Sequence, residues 1–202
     1  MNLKTYTGAS ARTFNLLINK AVEISAQGPL PTLNGLAEAT ATSRATVYRY
    51  FPSHADLVHT MMLHSLSNLM AWQPQSLAPE QRVLEALDLL FEDFKQHETL
   101  FRSVLQLSLI PSAEQPTLPT GQLVPRGLRI EILSRALEPL RPQLTEQAYM
   151  DLLTGLSLLF GIEALVVLKD IWGLDLAGAK RALTVSAKAL FAQAIDPAPT
   201  PS

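Results

Sequence analysis

Apolar residues in this chain recur with the period of an α-helix, and prolines cut that pattern into segments. Phe14, Leu17, Ile18, Ala21, Val22 and Ser25 fall at i, i+3, i+4, i+7, i+8 and i+11, a single stripe that stops at Gly28, before Pro29. Val83, Leu84, Leu87, Phe91 and Phe94 form a second stripe after Pro79, which sits where the first turn of a helix has no use for the missing N–H. Ile130, Leu133, Leu137 and Leu140 form a third. No stretch alternates with period two over a useful length, so the chain reads as all-α with about nine helices. After the first helix these fall at 33–39, 44–50, 54–72, 79–96, 98–109, 126–140, 145–172 and 175–195. Four prolines within 111–125 make that segment a loop, and the proline-rich residues 196–202 read as a disordered tail.

Local signals set several boundaries. Ser53 and Asp56 form an S-x-x-D capping signal directly after Pro52, which fixes the start of the 54–72 helix. Gly173 is a stop, and Asp175 caps the last helix. The run 152–168 is apolar on nearly every face and therefore calls for cover on all sides, half of it from a second subunit. It includes Glu163 and, at 17 residues, is short of the roughly 20 that cross a bilayer, so no membrane span is expected. Ala177, Gly178, Ala179, Ala182, Ala187 and Ala189 of the next helix allow close approach, which suits a homodimer built from the two C-terminal helices as an intersubunit four-helix bundle.

Composition narrows the function classes. Cysteine is absent, which removes disulfides, thiolate metal sites and cysteine nucleophiles and points to the cytoplasm. Residues 1–8 lack the basic start and apolar run of a secretory signal. Charged residues are 17% of the chain, against roughly 25% in an average domain, which leaves surface for a partner to cover. The net charge of −2 is unevenly spread: residues 1–60 hold five Lys/Arg against three acids, and the rest eleven against fifteen. A basic face therefore belongs to the N-terminal part. The chain has no H-E-x-x-H, G-x-S-x-G, phosphate-loop or G-x-G-x-x-G sequence, so it reads as a non-enzyme with no catalytic residues, no metal and no cofactor.

Residues 32–51 carry the most specific pattern. Two short helices, 33–39 and 44–50, flank a four-residue turn, which is helix-turn-helix spacing. Leu36, Ala37, Val47 and Phe51 supply inner faces. Ser43 caps the second helix and leaves Arg44, Ala45, Thr46, Tyr48 and Arg49 near its start, where recognition helices meet base edges in the major groove.

The run L-A-E-A-T-A-T-S-R-A-T-V-Y-R-Y-F-P-S-H-A-D-L, preceded by an amphipathic helix ending at a glycine, resembles the DNA-binding domain of the tetracycline-repressor (TetR) family. The match covers about residues 10–60, and the remainder agrees in being long and helical. The resemblance implies a DNA-binding domain over 1–53 and a ligand-binding and dimerisation domain over 54–195. It further implies a homodimeric, usually repressing, transcription factor that a small molecule releases from a double-stranded, pseudo-palindromic DNA operator. Candidate DNA contacts are Thr32, Thr42, Ser43, Arg44, Ala45, Thr46, Tyr48, Arg49, Tyr50 and His54. Arg44 suits guanine O6/N7, while Ser43, Thr46, Tyr48 and Arg49 suit phosphate. Tyr48 and Tyr50 have a second reading as core aromatics. The sequence departs from the family at three places: Ala41 stands for the turn glycine, Thr42 for an apolar residue, and His54 for a phosphate-binding lysine. These departures motivate an alternative, a helical interaction or ligand-binding dimer whose helix-turn-helix has a weakened hold on DNA.

Apolar walls with a few polar tips make a small-molecule site. Met61 and His64, with His97, Phe101 and Arg102, are candidates for such a pocket, as are Phe91, Phe94 and Tyr149. A mostly apolar effector is expected among the helices after residue 54.

Overall fold

The computed structural model describes residues 6–109 and 127–195; the expected loop at 111–125 and the expected tail at 196–202 lie outside the described residues. Ten α-helices and no strand occur among the described residues. They are α1 (Gly8–Gln27), α2 (Leu33–Ala39), α3 (Arg44–Tyr50), α4 (His54–Ser65), α5 (Ser67–Ala71), α6 (Pro79–Ser108), α7 (Leu128–Leu137), α8 (Glu146–Ser157), α9 (Ile162–Val166) and α10 (Leu176–Ile195). A 3-10 turn at Glu138–Leu140 extends α7, and a π turn at Val167–Ile171 extends α9.

Two compact units divide these helices: residues 6–67 with 96–109, and residues 68–95 with 127–195. In the first, Leu17, Ile18 and Ala21 of α1 pack with Leu36 and Ala37 of α2 and with Val47, Tyr50 and Phe51 around the end of α3. Leu57, Val58 and Met61 of α4 and Leu100 of α6 complete this core, so the unit extends past residue 53. In the second, Leu152, Leu153 and Leu156 of α8 are buried together with Ile132, Leu133 and Leu137 of α7 and Leu183, Ala187 and Phe191 of α10.

Helix starts follow local chemistry. Thr32 Oγ1 accepts from the Gly35 N–H, Ser43 Oγ from Thr46, Thr145 Oγ1 from Ala148, and Asp175 Oδ1 from Gly178. At α4 the box is reciprocal, with Ser53 Oγ accepting from the Asp56 N–H and Asp56 Oδ2 accepting from the Ser53 N–H. The expected boundary near residue 97 is a break inside α6, where His97 has φ −134° and ψ 29°.

Two expected helices are interrupted. The 54–72 segment breaks at Leu66, after which Leu69 and Trp72 are buried; the Arg135 guanidinium of α7 donates to the carbonyls of Met70 and Trp72. The 145–172 segment ends as α8 at Ser157 and restarts at Ile162. There Arg129 Nη1 donates to the Ser157 carbonyl at 3.3 Å, and its Nη2 meets Glu163 Oε1 at 2.9 Å. These two side chains fill the space beside Gly161, where a Cβ would lie 1.9 Å from Glu163 Oε2 and 2.9 Å from Arg129 Nη1. The segment 152–168 is thus no continuous all-round apolar helix, and the dimer expectation loses that premise. No single helix among the described residues is long and apolar enough to cross a membrane.

The turn between α2 and α3 stores strain at one residue. Ala41 has φ +50°, the only positive φ at a non-glycine among the described residues. A side chain there costs about 1–2 kcal/mol, partly offset by the greater entropy glycine loses on folding. Ala41→Gly is therefore expected to stabilise the protein by about 0.5–1 kcal/mol, read as a higher urea midpoint with unchanged slope.

Candidate nucleic-acid interface

Which face of α3 is free follows from which face is buried. Val47, Tyr50 and the following Phe51 are buried at spacings of three and one. Tyr50 and Phe51 join Tyr6 and Phe14 in an aromatic cluster with ring centroids 4.9 to 6.5 Å apart. Arg44, Ala45, Tyr48 and Arg49 are consequently exposed, with Tyr48 at 45%.

Hydroxyls and backbone groups fix the approach to this face. The Thr42 N–H donates to the Ala37 carbonyl and the Ala41 N–H to that of Glu38, closing the turn at 2.9 and 3.2 Å. Thr42 lies half-buried, and its hydroxyl donates to the Thr40 carbonyl at 3.2 Å. Ser43 Oγ and Thr46 Oγ1 are 2.9 Å apart beside the cap, and Thr32 is exposed at the start of α2. The exposed guanidinium of Arg44 lies 3.8 Å from Glu38, a solvent-screened pair that leaves the arginine available. Arg49 stacks over the Tyr50 ring at 5.2 Å. His54 is exposed at the start of α4, with Nε2 3.2 Å from the Pro31 carbonyl.

Tyr50 is a correction. It was expected among the DNA contacts, yet it is 4% exposed and its hydroxyl donates to the Ser10 carbonyl of α1 at 3.1 Å. The spacing from Val47 to Tyr50 carries that signal, since residues three apart on a helix share a face.

The eight expected pocket residues fall in different units. Met61, His64, His97, Phe101 and Arg102 belong to the first, where Met61 is fully buried and Arg102 pairs with Glu98 at 2.9 Å. Burial holds the His64 imidazole below the ordinary histidine range; it does the same to His97, to which His64 adds repulsion. The Nδ1 of His97 is buried without a hydrogen-bond partner. Phe91, Phe94 and Tyr149 belong to the second unit. The two phenylalanines meet edge to face at 5.8 Å, and the Arg141 guanidinium covers the Tyr149 ring at 4.5 Å. Two buried polar residues escaped the sequence reading. His59 has a partnerless Nδ1 and a pKa lowered by burial, and Asp93 has a carboxyl pushed up to about 6 by burial. Their positions within buried helix faces were the available signal. Among the described residues no group of three His, Asp or Glu is placed to hold a metal ion.

The family described as bacterial regulatory proteins, tetR family, matches residues 17–61, from Leu17 within α1 to Met61 of α4. Over these residues the chain is similar to the tetR family. A relative, the HTH-type transcriptional repressor LfrR of Mycolicibacterium smegmatis, is 34% identical over 64 residues. That match covers 31% of this chain and 34% of LfrR, so the chain spans about a third of that curated relative's length. A crystal structure of a TetR transcriptional regulator from Rhodococcus sp. RHA1 shares the fold, with a TM-score of 0.63 and 17% identity, over 91% of this chain and 97% of that one. Within a tetR-family domain, a buried tyrosine at position 50 acts on stability. Tyr50→Phe is expected to cost about 1 kcal/mol in urea unfolding through loss of the bond to Ser10, with DNA affinity of the folded protein unchanged.

Proposed function

We propose that this tetR-family regulator is a repressor that binds a pseudo-palindromic duplex operator as a homodimer and is released by a small, mostly apolar effector. The observation that carries the reading is the exposed, basic and hydroxyl-bearing side of α3, held outward by the burial of Val47, Tyr50 and Phe51. On this reading α3 enters the major groove with Arg44 and Ala45 at base edges. Thr32, Thr42, Ser43, Thr46, Tyr48, Arg49 and His54 face the sugar–phosphate backbone. Repression is supported by the name of the M. smegmatis relative.

Leu158, Ile171, Trp172 and Val185 support the dimer, since these large apolar side chains are exposed on the C-terminal helices and the turns between them. A second copy covering them would bury the standard ~1,600 Å² or more. An effector can lower operator affinity only by binding the two states of the dimer unequally. α4, which begins three residues after Phe51, is the proposed link, and Met61, His64, His97, Phe101 and Arg102, which belong to the same unit, are the proposed effector contacts.

An operator selected from a random duplex library, read by fluorescence anisotropy across salt, tests the DNA-binding assignment. Arg44→Ala is expected to cost about 1–3 kcal/mol per half-site and to relax preference at one position; wild-type affinity and selectivity would refute it. His54→Lys is expected to tighten binding and to steepen the salt dependence by about one counterion per subunit. For the dimer, Trp172→Glu is expected to sediment as a monomer at low micromolar concentration while the wild type sediments as a dimer.

A further inference from the structure

Glu38 is the one acidic residue between positions 24 and 55, the stretch that holds the helix-turn-helix. The other two acids of residues 1–60 have partners within the fold: Glu23 pairs with Lys20 at 2.7 Å, and Asp56 closes the cap of α4. Glu38 stands in the last turn of α2, where the helix dipole disfavours a negative charge. Its side chain is 74% exposed, and an exposed ion pair adds little to stability. The fold therefore gains little from an acid at this position. Beside DNA a carboxylate is also repelled by the phosphates, whatever the base sequence.

What Glu38 approaches is Arg44, its Oε1 lying 3.8 Å from Arg44 Nη2 across the turn that joins α2 to α3. Backbone bonds fix this spacing: the Ala41 N–H donates to the Glu38 carbonyl, and the Thr42 N–H to that of Ala37. The Ser43 cap then holds the start of α3 one residue before Arg44. A guanidinium carries five N–H donors in a planar fork, so one edge can meet a carboxylate while another meets guanine O6 and N7. Solvent screens the pair in the free protein, and the same contact strengthens in a groove from which water is displaced. Away from a guanine, the carboxylate offsets the arginine's charge and leaves the phosphates less to attract.

We propose that Glu38 is a positioning residue for Arg44 that makes the helix-turn-helix selective: it holds the guanidinium toward a base edge and withholds its charge from the phosphates. This rests on the operator-binding reading of α3 given above.

Glu38→Gln removes the charge at nearly constant shape. Its binding is read by fluorescence anisotropy across salt, on the selected operator and on a duplex of unrelated sequence. Binding to the unrelated duplex is expected to tighten about fivefold or more, with a salt dependence steeper by about one counterion per subunit, because Arg44 becomes free to meet phosphate. The ratio of operator to unrelated-duplex affinity is expected to fall by at least as much, with relaxed preference at the base that Arg44 reads. Glu38→Asp, which keeps the charge, is expected to restore most of the wild-type salt dependence. In an Arg44→Ala background Glu38→Gln is expected to lose most of its effect. The urea midpoint of Glu38→Gln should match the wild type, which a merely structural role would not allow. An unchanged affinity ratio and salt dependence, or effects of the two substitutions that simply add, would overturn the positioning role. Relaxed preference at a different base would overturn it too, making Glu38 a direct reader of a group such as cytosine N4. Operator binding that needs Arg44 yet ignores Glu38 overturns this proposal alone, and a chain that binds no duplex overturns the regulator reading with it.

Discussion

The burial of Val47, Tyr50 and Phe51 against α1 is the contact on which the functional face depends. A seven-residue helix such as α3 has too few internal hydrogen bonds to persist alone, so tertiary packing holds it. That packing also sets its rotation. With Tyr50 set against the Tyr6 and Phe14 rings and tied to the Ser10 carbonyl, Arg44, Ala45 and Tyr48 are turned to the exposed side. α1 therefore fixes which side of α3 is exposed.

Short-range polar bonds place the ends of these helices. Ser43 and the Ser53–Asp56 box satisfy N–H groups that would otherwise be orphaned at the starts of α3 and α4. Between α2 and α3 the chain takes a positive φ at one residue, and this sequence supplies alanine where glycine would be free of strain. The departure at Thr42 is absorbed locally, its hydroxyl bonding back to the Thr40 carbonyl. At His54 an exposed imidazole stands beside the Pro31 carbonyl, so the departure changes the chemistry of an accessible position and leaves the framework intact.

The second unit is governed by arginines that reach across it. Arg135 takes the carbonyls at the end of α5, and Arg129 takes that of Ser157 while pairing with Glu163. The first closes the end of α5, and the second sits at the break between α8 and α9. Asp93 is the opposite case, a carboxyl on a buried helix face whose Oδ2 has no hydrogen-bond partner among the described residues. The tetR-family match covers residues 17–61, and the second unit is read from its own residues.

The sequence by itself determined the all-α class, the helix-turn-helix, the starts of α2, α3, α4, α8 and α10, and the break at His97. All of these rest on interactions spanning four residues or fewer: caps, prolines and the 3.6-residue period. Only the tertiary structure decided that Tyr50 faces inward, that the 54–72 and 145–172 runs are interrupted, and that the expected pocket residues fall into two units. The partners responsible lie far along the chain, forty residues between Tyr50 and Ser10 and more than sixty between Arg135 and Trp72. A periodic pattern says which residues of a helix share a face. What that face meets depends on groups the local pattern does not contain.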